Sequence, residues 1–474
     1  MQRKYGLFTA ICLIVGTVIG SGVFFKAQDV LKITEGNLSI GVLAWILGGL
    51  IMICCILAFS AMAQKYEKVN GLVDYAEAAV GPRFAYFLGW FSAVMYLPAM
   101  TSVLAWVSAR YTLVFITSVW PNFPMIVPAA QGGCIIGPEC MALTLFYLVV
   151  SYVINTLSPK LAGKFQTSTT VIKFIPLTLM AVVGIIAGLF SETKMLVSNF
   201  QVLGAVESGN GGGALLSAVC ATAFAYEGWI VTTSINAELK DSKRNLPKAL
   251  LIGGVIIMAT YVLYYLGVAG GAGVEDLMNN GATVAFTNIF GGVFGNILNL
   301  FVAVSCLGTL NGLMIGTTRG IYALAARNEG PDPELFSHVD SKSNVASNSA
   351  VIGLLVCAAW GLYFYVTNLF GTFGGFSIMK GTALEHVPFV FDSSEIPIIT
   401  MYAMYLPIFI CWMKKEKDES VMRRFVLPIL ALISSVFVVY ACIASKKMTV
   451  VWYLVVFALI MGLGAVYFKK NKKK

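Results

Sequence analysis

Long apolar runs, separated by short polar connections, pattern the chain from end to end. A helix needs about 20 apolar residues to cross a bilayer. On that measure the sequence predicts twelve spanning helices, at roughly 7–33, 40–64, 84–117, 141–158, 165–190, 214–239, 249–272, 292–325, 349–367, 394–413, 425–445 and 448–468. The first, third, sixth and eighth exceed the bilayer's requirement, so each is expected to tilt or break. The chain opens Met1-Gln2-Arg3-Lys4, and the charge-free run from Tyr5 to Phe25 is too long for a signal-peptide core and lacks a small-residue cleavage site. It is therefore read as a retained helix. No soluble domain is expected among the connections, the longest being 118–139, 191–213, 273–291, 326–348 and 368–393.

Two of these spans carry an interruption. In the first, Gly16-Thr17-Val18-Ile19-Gly20-Ser21-Gly22-Val23-Phe24 places small residues at positions 20, 21 and 22. Each glycine costs a helix interior about 1 kcal/mol. Such a run is either a packing face for a neighbouring helix or a true break, which a bilayer tolerates only where the freed backbone lines a cavity or is covered by protein. In the sixth span Phe224-Ala225-Tyr226-Glu227-Gly228-Trp229 sets an acid beside a glycine, about a dozen residues before the charged stretch from Glu238 to Lys248. That spacing places Glu227 deep in the membrane, where an ionisable group marks function by default. Spans one and six open two halves of five helices each. Paired interruptions at corresponding positions are the sequence pointer to inverted repeats, and an odd number of helices per half gives the halves opposite orientations.

Composition narrows the class. The chain is 58% hydrophobic and 12% charged, against about 25% charged in soluble domains. The net charge of +9 does not point to nucleic acid, because the basic residues gather in alternate loops. Arg3, Lys4, Lys65, Lys68, Arg83, Lys160, Lys164, Lys240, Lys243, Arg244, Lys248, Arg319, Arg327 and Lys342 fall on the amino-terminal side, with the clusters at 414–424 and 469–474. Lys32, Arg110, Lys194, Lys380, Lys446 and Lys447 fall opposite, while Lys26 and Lys173 lie inside spans. The asymmetry predicts cytoplasmic termini and a basic tail against membrane lipids. Most of the ten Cys sit singly in apolar segments as packing residues; Cys134 and Cys140 share a loop expected outside, where a disulfide is allowed. With two His and no metal-ligand spacing, neither a metal site nor a catalytic group is read, no cofactor is expected, and a membrane enzyme is disfavoured.

The run from Gly16 to Phe24 resembles the signature of the amino acid–polyamine–organocation superfamily. Phe224 to Trp229, followed by Glu238 and Arg244-Asn245-Leu246-Pro247, resembles its L-type amino acid transporter (LAT) branch, in a bacterial-like form. Cys306-Leu307-Gly308-Thr309-Leu310-Asn311-Gly312 with Arg319, and the Lys173 segment, agree in order and spacing. The resemblance covers nearly the whole chain. It implies an all-α polytopic membrane protein of the LeuT-type fold, with a first inverted repeat at 1–190, a second at 214–413, two peripheral helices at 425–468 and a basic tail at 469–474.

A broken helix complements an amino acid at both ends. Its second half begins with free N–H groups, which favour a carboxylate; its first half ends in free carbonyls, which suit an ammonium. Thr17, Val18, Ile19, Gly20, Ser21 and Gly22, with Phe224, Ala225, Tyr226, Glu227 and Gly228, are therefore the candidate substrate site. Backbone N–H groups at 20–22 and the Ser21 hydroxyl would take the carboxylate; carbonyls near Val18, Ile19, Phe224, Ala225 and Glu227 would take the ammonium. The resemblance makes Phe224 a gate over the substrate, with Trp229 beside it as wall or packing. It also sets Lys173 toward the carbonyls of Gly16 and Ile19, where a fixed ammonium replaces sodium; snorkelling to the cytoplasmic face is the plainer alternative. Glu238 and Arg319 are a candidate inner gate or a surface pair.

These expectations describe a sodium-independent exchanger of small to medium neutral L-amino acids in the plasma membrane, working by alternating access. Glu227 leaves open cationic amino acids or polyamines as cargo, or proton coupling. A sensor or channel is the reading from another class, but no pore-lining ring is evident. Some LAT relatives join a single-span glycoprotein through a cysteine in the loop that here holds Cys134 and Cys140; a heavy-chain-type partner is allowed but not expected.

Overall fold

The computed structural model describes residues 6–20, 22–66, 71–230, 239–340, 345–367 and 391–471. In a bilayer every backbone polar group must be satisfied within the chain, and apolar helices do this segment by segment. Among the described residues ten helices are long and apolar enough to cross a membrane, and the bent pair α1 (Leu7–Val18) and α2 (Gly22–Ile33) makes up to eleven. The ten are α3 (Leu38–Lys65), α4 (Pro82–Val119), α5 (Pro138–Leu157), α6 (Leu161–Phe190), α8 (Ser242–Gly271), α10 (Ala282–Ala325), α11 (Ser347–Phe364), α12 (Ile396–Lys415), α13 (Leu427–Lys446) and α14 (Met448–Asn471), with the shorter α7 (Gly211–Ala225) before α8 and α9 (Val274–Asn280) before α10. Twelve spans are expected from the sequence. The sixth of them is described here as α7, of 15 residues, followed by a turn; residues 231–238 lie outside the described residues.

The over-long spans are resolved in different ways. α1 and α2 meet at 47°. α4 carries a π-helical stretch at Ser92–Tyr96. α10 breaks at Gly291, whose φ is 79°, so its spanning part restarts where the hydropathy pattern does. The fifth span, α6, is not one of these but is irregular as well: Pro176 removes one helix donor, and a π stretch at Met180–Gly184 follows one turn later.

The helices gather into two compact units, one of residues 1–85, 174–295 and 398–446, the other of 86–173, 296–397 and 447–474. α3 is the spine of the first. Asn37 fixes its start by accepting the Ile40 N–H at 2.8 Å and donating to the Leu203 carbonyl at 2.8 Å. α7, α8 and α13 pack along α3. α8 also packs against the carboxyl-terminal part of α6, where a Cβ on Gly267 would lie 1.9 Å from the Met180 carbonyl; only the smallest residue permits that approach. Past the end of α3, Glu416 receives hydrogen bonds from Lys65 and Tyr66.

In the second unit α4 packs against α5 and α11. The Trp360 indole donates to the Val94 carbonyl at 2.9 Å. Buried amides join α5 to α10, with Asn155 Nδ2 donating to Asn311 Oδ1 at 2.9 Å. α14 is held to α4 by Tyr86 Oη donating to the Gly464 carbonyl at 2.8 Å and the Trp90 indole to Ile460 at 2.9 Å. Cys134 and Cys140 are buried, separate thiols rather than a disulfide; Cys134 Sγ lies 3.7 Å from Thr117 Oγ1.

Candidate functional site

The first helix ends where its small residues begin. Ile19 N–H still closes a helical bond to Val15, at 2.8 Å, but Ile19 itself is extended (φ −67°, ψ 101°). α2 restarts at Gly22; Ser21 lies outside the described residues. The second interruption is at the end of α7. Tyr226 leaves helical geometry (φ −87°, ψ 0°), and Gly228 takes φ 103°, a conformation open to glycine and strained for other residues.

The two interruptions are brought together by close packing. A Cβ on Gly22 would lie 2.4 Å from Ala225 Cα, and one on Gly228 would lie 3.5 Å from the Thr17 carbonyl. Tyr261 of α8 ties the pair, its hydroxyl lying 3.0 Å from the Val18 carbonyl and 3.0 Å from the Ala225 carbonyl. Those carbonyls end α1 and α7, so two negative helix ends converge on one oxygen. A hydroxyl has a single proton and each carbonyl two lone pairs, which leaves acceptor capacity for a cationic group. The start of α2, immediately alongside, presents N–H groups and the positive helix end. The arrangement is complementary to a small zwitterion.

Around this core the remaining candidates take definite places. Phe224 is buried and meets Phe25 edge-on at 6.1 Å between ring centres. Tyr226 donates to the Trp45 carbonyl at 2.8 Å and packs on Tyr261 at 5.1 Å. Trp229 sits in an aromatic cluster with Phe59 of α3 and Tyr405 of α12, at 5.8 and 6.4 Å. Glu227 is 4% exposed and lies within electrostatic reach of Cys55, Tyr402 and Tyr405. In the second unit Lys173 is fully buried and donates to Thr309 Oγ1 at 3.0 Å. Arg319 is exposed on α10, and Glu238 lies outside the described residues. Among the described residues no group of three or more His, Cys, Asp or Glu is placed to hold a metal.

Sequence reasoning missed Tyr261, and nothing in an apolar run of α8 distinguishes it from a packing tyrosine. It placed Lys26 inside a span but gave it no role and passed over Asp29, although a signal existed: a charge inside a span with an opposite charge three residues on.

A family model described as amino acid permease matches residues 5–466. The chain belongs to the amino acid permease family. The permease is 29% identical over 345 residues to the serine/threonine exchanger SteT of Bacillus subtilis, an alignment covering 72% of each chain. It is 26% identical over 345 residues to large neutral amino acids transporter small subunit 2 of Oryctolagus cuniculus, covering 72% of the permease and 61% of that relative. It is 24% identical over 357 residues to the human cystine/glutamate transporter, covering 74% and 66%. The alignments thus span a little under two thirds of the length of those last two.

Proposed function

We propose that this permease is an amino acid exchanger that binds the backbone of its substrate between the two interrupted helices. The observation that carries the reading is the convergence of the Val18 and Ala225 carbonyls on Tyr261 beside the start of α2 at Gly22. The ammonium sits at the carbonyl ends and the carboxylate at the N–H groups of α2. Phe224 covers the substrate, and alternating access moves the helices around it. The similarity to a serine/threonine exchanger and to a neutral amino acid transporter supports small to medium neutral L-amino acids as cargo. Residues 1–190 and 214–413 form the inverted repeats, 425–468 the peripheral helices, and Lys173 supplies a fixed charge that makes transport sodium-independent. The basic loops support a plasma-membrane protein with cytoplasmic termini, working without a heavy-chain partner.

Trans-stimulation tests this directly. Proteoliposomes preloaded with unlabelled serine should take up labelled serine faster than empty ones, equally with and without sodium. Equal uptake with and without preloading sinks the exchanger. The burial of Glu227 favours one second reading, proton coupling. Under it, Glu227→Gln flattens the pH dependence of uptake while exchange persists; an unchanged pH profile excludes it.

A further inference from the structure

Lys26 lies four residues beyond Gly22 on α2, on the same face and about 6 Å further along the axis. It is 1% exposed. Its Nζ is 3.3 Å from Asp29 Oδ2, 4.8 Å from the centre of the Phe25 ring and 5.7 Å from that of Phe224. Gly22 packs on Ala225, so one face of α2 sets first a bare backbone and then an ammonium against the end of α7. A buried ammonium is costly unless compensated, and a carboxylate with two aromatic rings compensates this one. A methionine would fill the same volume without that cost. The charge is thus held at a specific place, beside the ring that covers the proposed substrate.

We propose that Lys26 and Asp29 are specificity-determining residues that filter substrates by side-chain charge. The Lys26 ammonium sets a positive potential beside Phe224, which penalises a cationic side chain in a water-poor site. Asp29 masks the same ammonium and keeps it from drawing an acidic side chain. Glu227 lies within electrostatic reach of Cys55 on α3 and of Tyr402 and Tyr405 on α12. The filter rests on the reading that the break binds amino acids.

The test is competition against labelled-serine exchange in proteoliposomes, comparing lysine with methionine and glutamate with glutamine. In the wild type methionine competes better than lysine. Lys26→Met is expected to narrow that ratio about tenfold and Lys26→Arg to keep it, while Asp29→Asn improves glutamate relative to glutamine about tenfold. The two variants therefore shift selectivity in different directions, which a general packing defect does not do. If Lys26→Met fails to insert, Asp29→Asn decides alone. Ratios within about twofold of wild type, in variants that still exchange serine, overturn the filter. If no amino acid of a full panel exchanges in the wild type, the amino acid reading falls, and the filter with it.

Discussion

Among the described residues two lysines, Lys26 and Lys173, are buried in membrane helices, and their closest described partners differ. Lys26 has a carboxylate at 3.3 Å and two aromatic rings. Lys173 donates to a hydroxyl, Thr309 Oγ1. The first arrangement is an ion pair whose ammonium stands against the Phe224 ring at the helix break. The second includes a hydrogen bond from the ammonium to a neutral hydroxyl on α10. Under the proposed function the first shapes the substrate pocket and the second couples to transport.

The largest effect is expected where Lys26 depends on backbone approach. Gly22→Val puts a branched side chain where a Cβ already lies 2.4 Å from Ala225 Cα. Overpacking of this kind costs about 1–3 kcal/mol, equivalent to roughly 5- to 150-fold in affinity. Serine binding to the purified variant, measured calorimetrically, should fall by that amount or disappear; near-normal affinity means that α2 and α7 are not the substrate's frame.

Next comes Lys173. Lys173→Ala should slow exchange about tenfold or more while the protein still inserts, and Thr309→Val, which leaves a buried donor without this acceptor, should cost about 1–3 kcal/mol of stability. Unchanged exchange in Lys173→Ala would reduce Lys173 to a packing residue and end the contrast with Lys26.

Tyr261→Phe removes the hydroxyl shared by Val18 and Ala225. It should lower the melting temperature in detergent, by about 1–3 kcal/mol of lost carbonyl satisfaction. Saturating serine should restore part of the loss, because the substrate ammonium occupies the same carbonyls. An identical deficit with and without serine would place the ammonium elsewhere.

The smallest effect belongs to an ion pair at the membrane edge. Burial works against the charge on Glu416, but the hydrogen bonds from Lys65 and Tyr66 outweigh it and hold the carboxyl below its usual range. A carboxylate whose pKa is lowered on folding stabilises the protein above the unfolded value, and that contribution is lost as pH falls through the folded value. Melting temperature should therefore decline at acid pH, and Glu416→Gln should decline less steeply. Parallel curves would mean that the pair adds nothing, as at most exposed ion pairs.

The helical class, the broken first span and the small residues at its break were legible in the sequence, because bilayer thickness imposes a length on apolar runs and because Gly20 and Gly22 are poor residues for a helix interior. The restart of α10 after Gly291 was legible for the same reason, since the hydropathy pattern resumes there. Nothing local marked Tyr261, whose role exists only because α8 brings it to the ends of two helices more than 200 residues apart in the chain. Lys26 was visible as a charge within a span with Phe25 beside it, but the second ring against it, Phe224, comes from the end of α7. Hydrophobic patterning acts along one helix at a time, so the sequence by itself decides where helices run and where they break. Which carbonyls converge and which side chains stand against the break depend on contacts between distant segments, and these the tertiary structure alone decided.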